Sequence, residues 1–205
     1  VLNLNHEKPD LNVRHDVTVR YLLQAEAPKG MQALFQKSVY GLALLEGKDG
    51  HFGGKAEHAE GMGCLERGNA STHEYPDDEG RKFTGHWVVP PGREENTTRV
   101  TELLSLPYDT KAHYIAVHLH PFAESLELID KTTGKTVFKS HARNYREKLG
   151  LKHVAPLSSV EGIPFFKDHE YELTSVYHNT SGQPQDSMAV MYIYFADKRF
   201  QPPSK

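Results

Sequence analysis

The sequence predicts an all-β protein, folded as an antiparallel β-sandwich with jelly-roll-like topology. Three observations support this prediction. Apolar and polar residues alternate in several short segments, which is the pattern of a strand with one buried face. Proline and glycine separate these segments, as is typical of sandwiches and jelly rolls. No segment has the periodicity of an amphipathic helix of ordinary length.

The predicted strands follow one another along the chain. Residues 17–23 and 114–120 alternate between apolar and polar side chains, and residues 39–45 are apolar with one glycine. Valine, isoleucine and tyrosine, which favour strands, are frequent in residues 171–177 and 188–195. The remaining pair of strands, residues 126–129 and 136–138, is predicted to form a hairpin around Lys131-Thr132-Thr133-Gly134, where glycine suits a turn position with positive φ.

The sequence predicts a single sandwich domain over residues 1–199. Residues 47–85 are polar and glycine-rich, and we expect them to form a long loop insertion in that domain. Residues 141–164 are expected to be a second irregular stretch. Residues 200–205 contain two prolines and are predicted to be a tail, because proline cannot readily continue a sheet.

Composition excludes several classes of protein. The 205 residues carry a net charge of −3 and show no basic stripe, so we expect no nucleic-acid partner. No apolar run approaches the roughly 20 residues needed to cross a bilayer, so we expect no membrane span. The single cysteine, Cys64, excludes an internal disulfide framework. The sequence begins at Val1 without a signal-peptide pattern, from which we expect a processed or truncated chain.

The main candidate site is a pair of histidines on one predicted strand. The chain has 13 histidines, and histidine is the commonest metal ligand. His118 and His120 are two residues apart, so their side chains point to the same face, about 7 Å apart at the backbone. Both imidazoles can therefore reach one metal ion. The alternative is that the two histidines face solvent on an exposed sheet.

Met188 lies at the start of the predicted strand 188–195 and is a candidate third ligand. Two imidazoles and a thioether suit copper, and Cu(I) in particular, because soft sulfur stabilises the reduced ion. Zinc remains an alternative through the histidines, although it seldom binds methionine. The alternative role for Met188 is to fill space in the core.

Two further histidines are candidates for the same site. His178 lies at a strand end close in sequence to Met188, and His86 lies beside Trp87. Each is either an additional ligand or an ordinary strand-end histidine. The predicted loop carries another group that either forms a second metal site or lies in solvent, and its members are His51, His58, Met62, Cys64 and His73.

Three motifs occur in a fixed order along the chain. They are Val88-Val89-Pro90-Pro91-Gly92, the segment 114–120 ending in His118-Leu119-His120, and Asp186-Ser187-Met188 followed by an apolar, tyrosine-rich strand. Together they resemble the C-terminal copper domain of the copper type II ascorbate-dependent monooxygenases, the family that includes peptidylglycine α-hydroxylating monooxygenase. The resemblance covers residues 86–196. It implies that His118, His120 and Met188 hold the oxygen-activating copper.

The resemblance extends to residues 1–6, which are similar to a family strand that ends in a single histidine. It implies that His6 is a ligand of a second, electron-transferring copper, and it makes residues 1–24 a candidate for the end of a preceding copper domain. The paired histidines that complete this second site in the family are not in this sequence. Either an upstream domain or a partner carries the second copper, with ascorbate as the reductant, or the second site does not exist in this protein.

Two functional hypotheses follow from the motifs. In the first, the chain is a copper-dependent monooxygenase domain that hydroxylates a C–H bond with O₂ when a second copper site is supplied. In the second, it is a non-enzymatic protein on the same fold that binds or acquires copper. Both imply an extracytoplasmic location, in a periplasm, in the medium or on a cell surface. A structural sandwich that has lost its site is the third alternative.

Overall fold

The chain folds as an antiparallel β-sandwich. The computed structural model describes residues 14, 16–23, 26–28, 30–44, 74–76 and 82–201. Its elements, in chain order, are β1 (Leu34–Tyr40), β2 (Ala43–Leu44), β3 (Glu74–Pro76), β4 (Lys82–Thr84), β5 (Trp87–Val89), β6 (Gly92–Arg99), the short helix α1 (Thr101–Leu104), β7 (Thr110–Leu119), β8 (Ala123–Asp130), β9 (Lys135–Asn144), β10 (Leu151–Val154), β11 (Leu157–Phe165), β12 (Tyr171–Asn179), β13 (Gln185–Ser187) and β14 (Ala189–Ala196).

Two larger sheets form the sandwich. The first has the strand order β1-β14-β7-β11 and the second has the order β10-β9-β8-β12-β6, with antiparallel pairing throughout. The chain passes from one sheet to the other between β6 and β7, between β7 and β8, and between β10 and β11. Such repeated crossing is typical of a jelly roll. Two smaller sheets, β13-β5 and β2-β4-β3, lie outside these two.

Both larger sheets contribute to one apolar core. Ile115, Ile193 and Phe195 from the first sheet are fully buried in the same cluster as Leu128 and Leu173 from the second. Burial of apolar surface stabilises the fold by about 25 cal/mol per Å² removed from water. Alternate side chains of these strands thus point to the core between the two larger sheets, as in a sandwich. The predicted fold class is confirmed.

Several predicted strands are also confirmed. Residues 114–120, 171–177 and 188–195 correspond to β7, β12 and β14, with small differences at the ends. The predicted hairpin is formed by β8 and β9, and Gly134 in its turn has a φ of +69°. The apolar segment 39–45 is divided between β1 and β2.

Other parts of the chain differ from the predictions. Residues 17–23 form no strand, and Val17 and Val19 are 84% and 75% exposed, because none of the described residues buries their apolar face. The stretch 141–164, predicted to be irregular, contains β10 and most of β11. Its pattern is obscured because the pairing of β11 with β7 shifts register between Ser158 and Ile163.

The segment 47–85 is a loop only in part. Its described residues form β3 and β4, which pair with each other and, through β4, with β2. The histidines, methionine and cysteine of the predicted loop group lie outside the described residues, and so does His6. Across the described part of the chain, no helix is both long enough and apolar enough to cross a membrane.

Candidate functional site

Three histidines lie together at one end of the first sheet. His118 is in β7 and pairs with Val190 of β14, and His120 follows the end of β7 directly. His86 immediately precedes β5. The ring centroids of His118 and His120 are 5.3 Å apart, and those of His86 and His120 are 5.9 Å apart. Two imidazoles that share one metal ion have centroids about 5 to 5.5 Å apart, given metal–nitrogen distances of about 2 Å.

The small sheet of β5 and β13 brings an acidic residue to these histidines. Asp186 of β13 pairs with Val88 of β5, two residues after His86. The buried side chain of Asn179 holds the two strands in place, because its Nδ2 donates to the carbonyl oxygens of Val89, at 2.9 Å, and Gln183, at 2.7 Å. The position of Asp186 therefore depends on contacts between segments that are far apart in the sequence.

Asp186 holds the ring of His120 from two sides. The Nδ1 atom of His120 lies 3.1 Å from Oδ2 of Asp186 and 3.2 Å from its backbone oxygen. Because both neighbours are acceptors, Nδ1 carries the proton in the neutral ring and the lone pair lies on Nε2. The other carboxylate oxygen, Oδ1, is 3.7 Å from Nδ1 of His86.

Asp186 is a carboxylate at neutral pH. Its burial opposes ionisation, but the interactions with His120 and His86 outweigh this effect and lower the pKa of Asp186 to about 2. Negative charge is therefore fixed beside two imidazole rings. A histidine that donates one ring N–H to a carboxylate and presents its other nitrogen is the usual arrangement around a protein-bound metal.

His118 presents a buried ring nitrogen that has no hydrogen-bond partner among the described residues. The atom is Nε2. Burial, together with the neighbouring His120 and His86, lowers the pKa of His118 to about 4, so its ring is neutral at neutral pH. A buried nitrogen without a partner costs about 1 to 3 kcal/mol. A neutral imidazole with a ring nitrogen that lacks a partner fits a role as metal ligand, which requires an unprotonated nitrogen.

Met188 lies between β13 and β14, and its backbone is tied to that of His120. The hydroxyl group of the buried Tyr177 donates to the carbonyl oxygen of Met188 at 2.6 Å. The same hydroxyl accepts from the backbone N–H of His120 at 3.4 Å. Burial raises the pKa of Tyr177, so the hydroxyl keeps its proton. One side chain of β12 thus links the backbones of two predicted ligands.

His178 has different surroundings. It lies in β12 next to Tyr177, whose side chain points into the core, so alternation along the strand turns His178 outward. Its Nδ1 atom lies 3.7 Å from Oε1 of Glu124, and its side chain is 52% exposed. The structure therefore brings His86, and not His178, close to the predicted histidine pair.

Sequence analysis missed the roles of Asp186 and Tyr177. Asp186 lies two residues before Met188 in the same motif, and this proximity is the one sequence signal for its role. Tyr177 gave no signal beyond its place in a strand. As they stand, no three His, Cys, Asp or Glu side chains of the described residues form a group that could hold a metal ion. The predicted set differs from such a group because its third member is a methionine.

Comparison of the chain with protein-family models and with curated proteins finds no match. The fold and the site together define the chain as a β-sandwich with three histidines and a half-buried carboxylate at one end of a sheet.

Proposed function

We propose that the chain is a copper-binding protein in which His118, His120 and Met188 are the ligands. The observation that carries the proposal is the buried Nε2 of His118, which has no hydrogen-bond partner among the described residues. It lies beside His120, whose Nδ1 faces Asp186 and whose Nε2 keeps its lone pair. Two imidazoles and a thioether suit copper better than a hard cation such as Mg²⁺ or Ca²⁺.

The chain's own residues supply binding and orientation at this site. Asp186 orients the ring of His120, and Tyr177 fixes the backbones of His120 and Met188. When bound, copper with an open position supplies the capacity to react with O₂ and take part in C–H hydroxylation, provided that a reductant such as ascorbate delivers electrons. We propose this chemistry on the resemblance to the ascorbate-dependent monooxygenases, together with an extracytoplasmic location and an upstream domain or partner that carries a second copper.

Copper binding to single variants tests the ligand set. Replacement of His118 or His120 by alanine is expected to abolish tight copper binding and to leave the fold largely intact, since both side chains lie at the end of a sheet and outside the apolar core. Copper content by elemental analysis and affinity by competition with a chelator measure the effect. His178→Ala is the matched control and should bind copper like the wild type. Full copper stoichiometry in the double variant of His118 and His120 would refute the site and direct attention to the histidines of residues 51–73.

A second variant tests the thioether. Met188→Ile should keep Cu(II) bound through the histidines but weaken Cu(I), because the soft sulfur favours the reduced ion. Affinities for both oxidation states, measured separately, decide the point. If the variant binds both states as well as the wild type does, Met188 is not a ligand.

The enzymatic and the non-enzymatic hypotheses differ in turnover. A monooxygenase domain consumes O₂ in the presence of ascorbate once a second copper site is supplied, whereas a protein that only binds copper does not. The measurement is O₂ uptake by copper-loaded protein with ascorbate, with and without a domain or partner that carries a second copper.

A further inference from the structure

We propose that Asp186 is the positioning residue that makes Nε2 of His120 the metal-binding atom. The inference deepens the proposed function and rests on it. It concerns one contact, in which both the carboxylate and the backbone carbonyl of Asp186 face the same ring nitrogen, Nδ1 of His120.

The two contacts act together on the tautomer of His120. Oδ2 lies 3.1 Å and the backbone oxygen 3.2 Å from Nδ1. If Nδ1 carried the lone pair, two oxygen atoms would face a third acceptor with no proton between them, which is electrostatically unfavourable. The proton is therefore held on Nδ1, and the lone pair is held on Nε2, the atom that must bind a metal.

The fold keeps Asp186 in this place by its backbone. Residues 185–187 form three consecutive pairs with residues 87–89, and Asp186 is the middle residue of its strand. The position of the backbone carbonyl is thus set by strand pairing, whereas the position of the carboxylate depends on the side-chain rotamer of Asp186. His86, on the other side of the carboxylate, lies 3.7 Å from Oδ1, so the side chain is flanked by imidazoles on both sides.

This arrangement differs from an ordinary acid–histidine pair on the surface. Glu124 and His178 form such a pair, with a distance of 3.7 Å and about half of each side chain exposed. The side chain of His120 is only 13% exposed, and Asp186 contributes two acceptors to it. The pair at the histidine cluster therefore orients a ring that is mostly removed from water.

The tautomer of His120 can be measured without copper. Long-range ¹H–¹⁵N NMR spectra of the metal-free protein distinguish a protonated Nδ1 from a protonated Nε2. We expect the wild type to show Nδ1–H at His120. A wild-type ring that carries its proton on Nε2 would overturn the inference whether or not the chain binds copper.

The variant Asp186→Asn tests the consequence for binding. The amide has nearly the shape of the carboxylate but lacks its charge and can donate to Nδ1, so we expect a larger fraction of the Nε2–H tautomer. Loss of such an outer partner typically weakens metal affinity about 10- to 100-fold, and we expect a loss of this size for Cu(II). The matched control is Glu124→Gln, which should leave copper affinity and the His120 spectrum unchanged.

The outcomes separate this inference from the proposed function. Unchanged copper affinity and an unchanged tautomer in Asp186→Asn would refute the role of Asp186 while leaving the ligand set in place. A wild-type protein that does not bind copper would refute the proposed function, and the NMR measurement would still decide whether Asp186 sets the tautomer. Folding of the variant is checked by circular dichroism, and the wild-type spectrum tests the inference independently of any variant.

Discussion

His118 and His120 have different surroundings although they lie two residues apart on one strand. Nδ1 of His120 has two acceptors from Asp186, whereas Nε2 of His118 is buried without a hydrogen-bond partner among the described residues. The difference arises because β13 places Asp186 against the ring of His120, whereas no described residue forms a hydrogen bond with Nε2 of His118. A buried, neutral imidazole must affect stability as well as binding.

The metal-free protein should lose stability as pH falls from about 6.5 towards 4. In the unfolded chain His118 takes up a proton near its ordinary pKa of 6.5, but in the folded protein its pKa is lowered to about 4 by burial and by the neighbouring histidines. The unfolded state therefore binds more protons in this window and is favoured there. At about pH 5 the expected loss from His118 is about 1 kcal/mol, which allows for the partial exposure of the ring.

Urea unfolding at neutral pH and at about pH 5 measures this loss. His118→Gln serves as the comparison, because glutamine has no proton to take up in this range. The variant should lose less stability than the wild type between the two pH values. Equal losses in the two proteins would contradict the assignment of a lowered pKa to His118.

At the level of elements, the two three-residue strands β5 and β13 determine the geometry of the site. A strand pair this short is only marginally stable by itself. Asn179, at the end of β12, anchors it by donating to Val89 and Gln183, and its Oδ1 accepts from the backbone and the side chain of Ser181 at 3.0 and 2.7 Å. Two of these four hydrogen bonds, to Val89 and Gln183, therefore connect the end of β12 to β5 and to the segment that leads into β13.

Asn179→Ala is expected to destabilise the protein by about 3 kcal/mol, because it leaves buried polar groups without partners. It should also weaken copper binding, since β13 carries Asp186 and leads into Met188. Chemical unfolding and copper affinity measure the two effects. The control is Thr97→Ala, which removes one exposed hydrogen bond to Thr174 and should change stability by less than about 0.5 kcal/mol. If the two variants are equally stable, Asn179 does not anchor the strands.

At the level of the whole molecule, the candidate site joins segments that meet only in the folded state. His86, His118 and Asp186 come from β5, β7 and β13 or from the residues next to them, and these strands belong to two different sheets. A ligand that binds the folded state and not the unfolded chain stabilises the fold by mass action. Copper binding and global stability are therefore expected to be coupled.

Saturation with Cu(II) should raise the melting temperature of the wild type. At about 100 times the dissociation constant, binding adds about 2.7 kcal/mol, which corresponds to a rise of about 5 to 10 °C for a chain of this size. Differential scanning calorimetry with and without copper provides the measurement. The double variant His118→Ala/His120→Ala should show no such rise. The same increase in both proteins would mean that copper acts elsewhere on the chain.

The fold class and several of the main strands were predictable from the sequence. They depend on local period, because alternation predicts which residues share a face, and the rings of His118 and His120 lie 5.3 Å apart. The turn at Gly134 was also predictable, because glycine readily adopts its positive φ. Alternation failed at residues 17–23, since a strand pattern needs a partner surface to bury its apolar face.

The side chains that surround the histidine pair are brought there by contacts between segments far apart in the sequence. His86 and Asp186 are far apart in the sequence and become neighbours because β5 pairs with β13. That long-range pairing and the packing of β12 against it have three consequences. His86 lies near the pair and His178 does not, Asp186 contacts His120, and Tyr177 links the backbones of His120 and Met188. Local patterns carry no information about such contacts, because residue spacing along a strand defines its faces but not the partner that each face meets.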